Sequence, residues 1–313
     1  MRIPSCSKYT LILLIVFLST ACQRYPEAIK VEDGILDLSS WRFQSYGVLK
    51  PRGEWAFYWD ELISVWNSKQ FLEDKPDGFI QVPGNWRQKS VTEISEKAPF
   101  GAMVIHLKIL NRENPEEGEL MVYMPHIRSA HEIFILKQDQ SLTMVSEAGL
   151  VGKDTERHKG WFSGATFSFP ASGVTDIFIN LSNFDDKNNQ GLYEDFFIGT
   201  ESQISQVKTE RGQTDFLLIG MIGFAGIFML MIFVLRRSEM APFWLGAYSL
   251  TFAVRVLVIN LYLYEWINNL HWFDFLFRLN YFTVYFPTIA YIAFLRSVFA
   301  KQFSGTIAKI CYA

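Results

Sequence analysis

Residues 216–235, FLLIGMIGFAGIFMLMIFVL, run for twenty positions without a charge and stop at Arg236 and Arg237. As a helix rising ~1.5 Å per residue, the run is about 30 Å long, the thickness of a bilayer's hydrocarbon layer. A chain that carries it has to fold in two solvents, and its charges are divided accordingly. From residue 23 to 214 there are 20 Lys and Arg against 28 Asp and Glu; from 215 onward there are only seven against four. The first part is built for water and the second for lipid. So acidic a first part offers no broad footprint for nucleic acid.

Two further spans are predicted, at residues 242–263 and 275–295, the third with Pro287 inside it as a potential kink. Gly220, Gly223 and Gly226 recur every third residue of the first span, a narrow strip that lets a second helix approach closely. Arg236 and Arg237 separate the first two spans, and Arg296, Lys301 and Lys309 follow the third. The connection YEWINNLHWFD carries Glu265 and Asp274 but no Lys or Arg. Basic loops stay cytoplasmic, so the expected topology is multi-pass, with the first part outside and residues 296–313 inside the cell. Arg255 is the charge deepest within a span. It either faces the bundle and a partner or snorkels to the headgroups. Asn280 is a second polar intramembrane residue.

Residues 1–22, MRIPSCSKYTLILLIVFLSTAC, have a basic start, a short apolar run and small residues, the layout of an export signal. LSTAC is close to a bacterial lipobox with Cys22 as the lipidated residue; the alternative is a plain signal. The three cysteines, Cys6, Cys22 and Cys311, leave none between residues 23 and 310, so no disulfide staples the first part.

Between residues 35 and 204 short apolar runs alternate with a period of two, separated by Gly, Pro, Asn and Asp, which predicts an antiparallel sandwich or barrel. MVIHLKIL places Met103, Ile105, Leu107 and Ile109 on one face and His106 and Lys108 on the other. A short helix is expected at DELISVWNSKQFL, with Leu62, Trp66 and Leu72 on one side. Gly84 after Pro83 suits a type II turn with positive φ.

The order of several pieces carries a resemblance. Gly53-Glu54-Trp55 with Tyr58-Trp59, Val82-Pro83-Gly84 with Trp86, Ser129-Ala130, Gly149 with Gly152, and Ser182-Asn183-Phe184 follow one another as in the bacterial seven-transmembrane receptors with diverse intracellular signalling modules. The same succession is similar to the sugar-binding jelly rolls of family-two glycoside hydrolases. The resemblance implies an all-β, jelly-roll or galactose-binding-like sandwich in the periplasm (residues 23–210), followed by α-helical transmembrane segments in the inner membrane. It also implies a carbohydrate-like ligand. FRLNYFTVYFPTIAYIAFL and Arg255 resemble the family's helical region. Two departures stand out: FILKQDQS lacks an expected Asn-Gly turn, and no acid lies beside Asn280. Three spans stand where the family has seven, and no cyclase or kinase output domain follows, so a truncated member is expected.

For the ligand, Trp86 and Trp161 are candidate sugar-stacking rings; the alternative is that such tryptophans plug the core. SNFDDKNNQG gathers Asn183, Asp185, Asp186, Asn188 and Asn189, oxygens for a sugar or a Ca²⁺ ion, or a solvated turn. The five histidines show no metal spacing, and phosphate loops, dinucleotide fingerprints and nucleophile elbows are absent, so no cofactor is expected. The leading expectation is the sensory portion of a signalling receptor, with a small-molecule or carbohydrate ligand and membrane lipid as partners and a homodimer as an open assembly. The alternative is a membrane-tethered carbohydrate-binding protein. An enzyme is disfavoured because glycoside hydrolysis needs two positioned carboxylates and the acids are scattered.

Overall fold

The computed structural model describes residues 29–88, 91, 100–111, 118–137, 140–186 and 191–299. The expected signal with Cys22, together with Asn188, Asn189 and the chain after residue 299, lies outside these.

Among the described residues thirteen strands come first. They are β1 (Lys30–Val31), β2 (Ile35–Asp37), β3 (Arg52–Trp59), β4 (Gly78–Val82), β5 (Gly84–Asn85), β6 (Gly101–Asn111) and β7 (Glu119–Ile127). After these follow β8 (Ala130–Leu136), β9 (Leu142–Ala148), β10 (Ser163–Pro170), β11 (Gly173–Asn183), β12 (Gly191–Leu192) and β13 (Phe197–Gly199). The large sheet has the order β1-β3-β6-β11-β8-β9, with β4 paired to β3 and β2 to β6; a second sheet has the order β10-β7-β13. Met103, Ile105, Leu107 and Ile109 of β6 face Leu120, Val122 and Met124 of β7 and Phe167 and Phe169 of β10 in one shared core. The first part is therefore a β-sandwich, and the period-two reading of β6 holds.

The outer face of the large sheet is not left to water. Val104, Phe134 and Phe178 on that face pack with Ile63 and Phe71 from the segment between β3 and β4. Asn180 ties this cover down: its Oδ1 accepts from Ile63 N at 2.8 Å and its Nδ2 donates to Ile63 O at 3.0 Å. Here the expected helix is corrected. Only α2 (Gln70–Glu73) forms, after the earlier single turn α1 (Phe43–Tyr46). Asn67 bonds Ser64 N and Leu62 O, giving the backbone a local alternative to helix. Trp66 and Leu72 point outward instead of sharing a buried face.

Gly84 also differs from expectation. The Val82–Pro83 bond is cis, and Gly84 lies outside the positive-φ region. Glycine is needed there because a Cβ would sit 2.6 Å from the Gln81 carbonyl oxygen.

The second part is helical: α3 (Glu201–Leu235), α4 (Ala241–Ile259), α5 (Tyr262–Ile267) and α6 (Phe273–Val298). Two of these, α3 and α4, are long and apolar enough to cross a membrane. α6 has the length, but Asp274, Arg278, Asn280 and Arg296 dilute its apolarity. The second span is shorter than expected, because Leu261 adopts a left-handed conformation and breaks α4 from α5. α6 runs through Pro287 without interruption.

The polar segment 201–214 is not a loose connection. It is the first part of α3, a single 35-residue helix about 52 Å long. Thr200 alone separates it from β13, and the Gln203 side chain accepts from Thr200 N at 3.1 Å while donating to Phe43 O at 2.7 Å. Lower down, α3 and α4 touch through glycine. A Cβ on Gly246 would lie 2.9 Å from Gly226 O, and one on Gly226 would lie 2.8 Å from Leu250. Of the predicted strip, Gly226 is in close contact, a Cβ on Gly223 would lie 4.0 Å from Ala253, and one on Gly220 would meet nothing within 4 Å.

Candidate functional site

Three of the residues singled out as ligand contacts, Trp161, Asp185 and Asp186, meet at a seam between sandwich and helices. Ala148, Trp161 and Phe162 pack with Val258, Leu261, Tyr264, Phe273 and Leu276 in one apolar cluster. Trp161 lies edge-on to Tyr264 with centroids 5.4 Å apart, and Phe162 meets Phe273 at 5.3 Å. The fit allows no side chain at Gly160, where a Cβ would stand 2.2 Å from Asp185 Oδ2 and 2.6 Å from the Phe273 ring.

The SNFDD stretch borders this seam. Asn183 Oδ1 accepts from the backbone N–H of Asp185 and Asp186, folding the strand end into a turn. Asp186 is buried, and its Oδ2 accepts from Tyr281 of α6 at 3.2 Å. Asp185 Oδ2 lies 2.7 Å from His158 Nε2, and His158 Nδ1 lies 2.8 Å from Ser182 Oγ. The residue types are those of a nucleophilic triad, but Ser182 is fully buried and its Oγ already accepts from Gly152 N. The chain therefore works as a structural bridge from β11 to the loop before β10. Among the described residues no group of three His, Cys, Asp or Glu side chains is placed to hold a metal ion.

Trp86 is 0 % exposed in the sandwich core, edge-on to Trp59 at 5.8 Å, and Trp161 is 4 % exposed. Neither ring presents a face to a sugar in this conformation. Asn180 is buried and bonded as described above. Arg255 does find a partner across the bundle: its Nη1 donates to Thr283 Oγ1 at 3.4 Å, and that hydroxyl donates to Asn280 O at 2.8 Å.

A second contact, invisible in the sequence pattern, holds α3 against the outer face of the small sheet. Arg211 Nη2 donates to Glu194 Oε2 at 2.8 Å, and His126 Nδ1 of β7 hydrogen-bonds Glu194 Oε1. Lys208 reaches Thr166 Oγ1 at 3.3 Å and lies over the Tyr123 ring, while Arg211 lies over Phe197. Burial alone would raise the Glu194 carboxyl, but the bonds and charges of His126 and Arg211 outweigh it and hold it down at about 2. A cleft of about 350 Å³ opens beside this clamp, lined by Lys208, Arg211 and Asp215 of α3 and by Tyr262 and Glu265 of α5.

A separate cleft of about 330 Å³ lies against the outer cover of the large sheet, lined by Tyr58, Trp59, Glu61, Gln70, Asp74 and Asp77. Burial, reinforced by Asp74, Asp176 and Asp77, pushes Tyr58 up to about 12, so its phenol stays neutral and donates to Phe71 O at 3.1 Å. Aromatic rings beside carboxylates and an amide form a polar recess suited to hydroxyl-rich ligands.

No family model matches the chain, and no curated protein matches it. Several solved structures align with part of the chain at low scores. A β-glucuronidase of Ruminococcus gnavus aligns at 12% identity over 56% of this chain and 30% of that chain, with a TM-score of 0.33. A putative β-galactosidase of Bacteroides fragilis aligns at 11% identity over 48% and 22%, with a TM-score of 0.31. A β-glucuronidase 2 of Bacteroides uniformis aligns at 14% identity over 48% and 17%, with a TM-score of 0.32. The chain spans less than a third of each of these proteins. Likeness at such scores is too distant to assign a ligand or an activity.

Proposed function

We propose that this chain is the sensory portion of a bacterial membrane signalling receptor. In this reading the sandwich lies outside the cell, binds a carbohydrate-like ligand and shifts the helices on which it sits. One observation carries the reading: the sandwich runs into a membrane-spanning helix through Thr200 alone and is then clamped to that same helix by His126, Glu194 and Arg211. A simple anchor requires no such docking. A ligand that prefers one arrangement of the sheets then has a rigid path to the bilayer. The ordering of motifs shared with the seven-transmembrane receptor family supports the same reading. The 330 Å³ cleft at Tyr58 and Trp59, in place of Trp86 and Trp161, is the ligand recess in this proposal.

The test uses the full chain in nanodiscs with spin labels at Arg237 and Arg296, the far ends of α3 and α6. A saccharide panel is screened by thermal stability, and each stabilising sugar is then tested for a change in the label-to-label distance. A sugar that stabilises the wild type but not Trp59→Ala, and moves the distance, fits the receptor. Stabilisation with an unmoved distance favours the tethered binding protein. Silence across the panel removes the carbohydrate ligand.

A further inference from the structure

Where the sandwich meets α4, two arginines reach the last turn or so of one helix, and among the described residues neither is paired with an acid. Arg128, in the turn between β7 and β8, donates from Nη2 to the carbonyl of Ile259, the last residue of α4, at 3.2 Å. One turn back on the same helix is Arg255, whose contact is the neutral hydroxyl of Thr283 at 3.4 Å. Among the described residues no carboxylate lies within ion-pair distance of either group. The charge acting on Arg255 is another cation, Arg128. The Tyr264 hydroxyl, buried and without a hydrogen-bond partner, lies in the field of the same Arg128.

Each guanidinium has five donors, and each has one of these bonds accounted for here. The carbonyl end of α4 eases the charge of Arg128 but leaves the two cations repelling one another. A small anion with several acceptor oxygens resolves both problems at once. Planar guanidinium forks match phosphate oxygens in pairs. The place also fits: the pair lies at the end of an apolar helix, where phospholipid headgroups meet a span.

We propose that Arg128 and Arg255 together form a phosphate-binding site at the sandwich-facing end of α4. Its occupant is the phosphodiester of a phospholipid headgroup or free inorganic phosphate. The site requires α4 to enter the bilayer but requires no sensory role, so it stands or falls separately from the receptor reading.

The test is thermal unfolding of the delipidated full chain in a non-ionic detergent. Short-chain phosphatidylglycerol is titrated in one arm and inorganic phosphate in another, with sodium chloride matched for ionic strength. At least one phosphate form is expected to raise the melting temperature saturably. Lipid alone marks a headgroup site; inorganic phosphate with equal effect marks a solution anion. Arg128→Gln/Arg255→Gln is expected to bind at least tenfold more weakly, and the Lys/Lys variant, which keeps the charge and loses the fork, falls between. A wild type that responds to neither form overturns the site whether or not any variant folds. So does a double variant that responds like the wild type.

Discussion

Arg211, three turns into α3, donates to Glu194 of the sandwich at 2.8 Å, so the long apolar helix is bonded to the domain beside it. Glu194 is shared with His126, and removing its charge weakens both contacts, since a glutamine keeps one acceptor oxygen where the carboxylate has two. A Glu194→Gln variant is expected to lose about 1–2 kcal/mol. The full shift corresponds to ~3 kcal/mol, reduced because the side chain is 35% exposed and solvent screens it. Hydrogen exchange of residues 201–214 reads the loss directly, as faster opening of the upper helix with the core strands unchanged. The pH dependence has a definite sign. Glu194 has a depressed folded pKa, so its contribution is full above about 4.5 and fades as pH falls toward about 2. Exchange rates that do not change across that window contradict the clamp.

His131 titrates the other way from a paired histidine. It is fully buried; desolvation lowers it to about 4 although its Nδ1–H donates to Ser129 O at 3.1 Å, and its Nε2 has no partner. The unfolded chain takes up the proton near 6.5 while the folded chain refuses it until about 4. Stability is therefore complete above pH 6.5 and declines by about 3 kcal/mol as pH drops to 4. Denaturant melts of wild type and His131→Gln across this range check the slope, which the variant is expected to flatten.

The glycine contact between α3 and α4 gives a graded test in the helical half. Gly246→Leu drives a side chain into the Gly226 carbonyl and Leu230, and Gly226→Leu drives one into Leu250. Each is expected to cost about 1–3 kcal/mol as overpacking. Gly220→Leu meets nothing within 4 Å and is expected to be neutral. Thermal inactivation in nanodiscs ranks the three; equal effects at positions 220 and 246 speak against this helix pairing.

Tryptophans divide sharply by burial. Trp86→Ala empties the centre of the sandwich and is expected to cost about 3–5 kcal/mol. Trp66 is 96 % exposed, and Trp66→Ala is expected to stay within about 0.5 kcal/mol of wild type. Chemical denaturation of both variants decides between a core plug and a surface ring at position 86.

The division between a β-sheet part and a helical part, the strand alternation of β6 and the apolar stretch of α3 were legible because each rests on a simple periodicity or a run of one residue class. The upper half of α3 was not. ESQISQVKTERGQTD has no apolar stripe, and its helix is held by Gln203, Lys208 and Arg211 reaching strands far away in sequence. SNFDD reads as a solvated turn because Asn and Asp usually are; nothing local reveals that Tyr281 and Phe273 cover it. His158 was likewise unreadable, since its partners Ser182 and Asp185 are 24 and 27 residues away. Ile63 and Phe71 escaped notice because a cover over a sheet has no period of its own. Trp161, a candidate for sugar stacking with core packing as the alternative, has its ring edge-on to Tyr264 of α5, a neighbour far away in sequence.

With Thr200 as the whole of the junction, the sandwich and α3 have no swivel between them. In the receptor reading proposed above, a twist of the small sheet would reach Arg236 as rotation about the helix axis over nearly ten turns. Extra residues spliced in after position 212 then act by angle rather than by length. Two of them turn the lower half through roughly 200°, whereas seven bring it back to within about 20° of its starting azimuth.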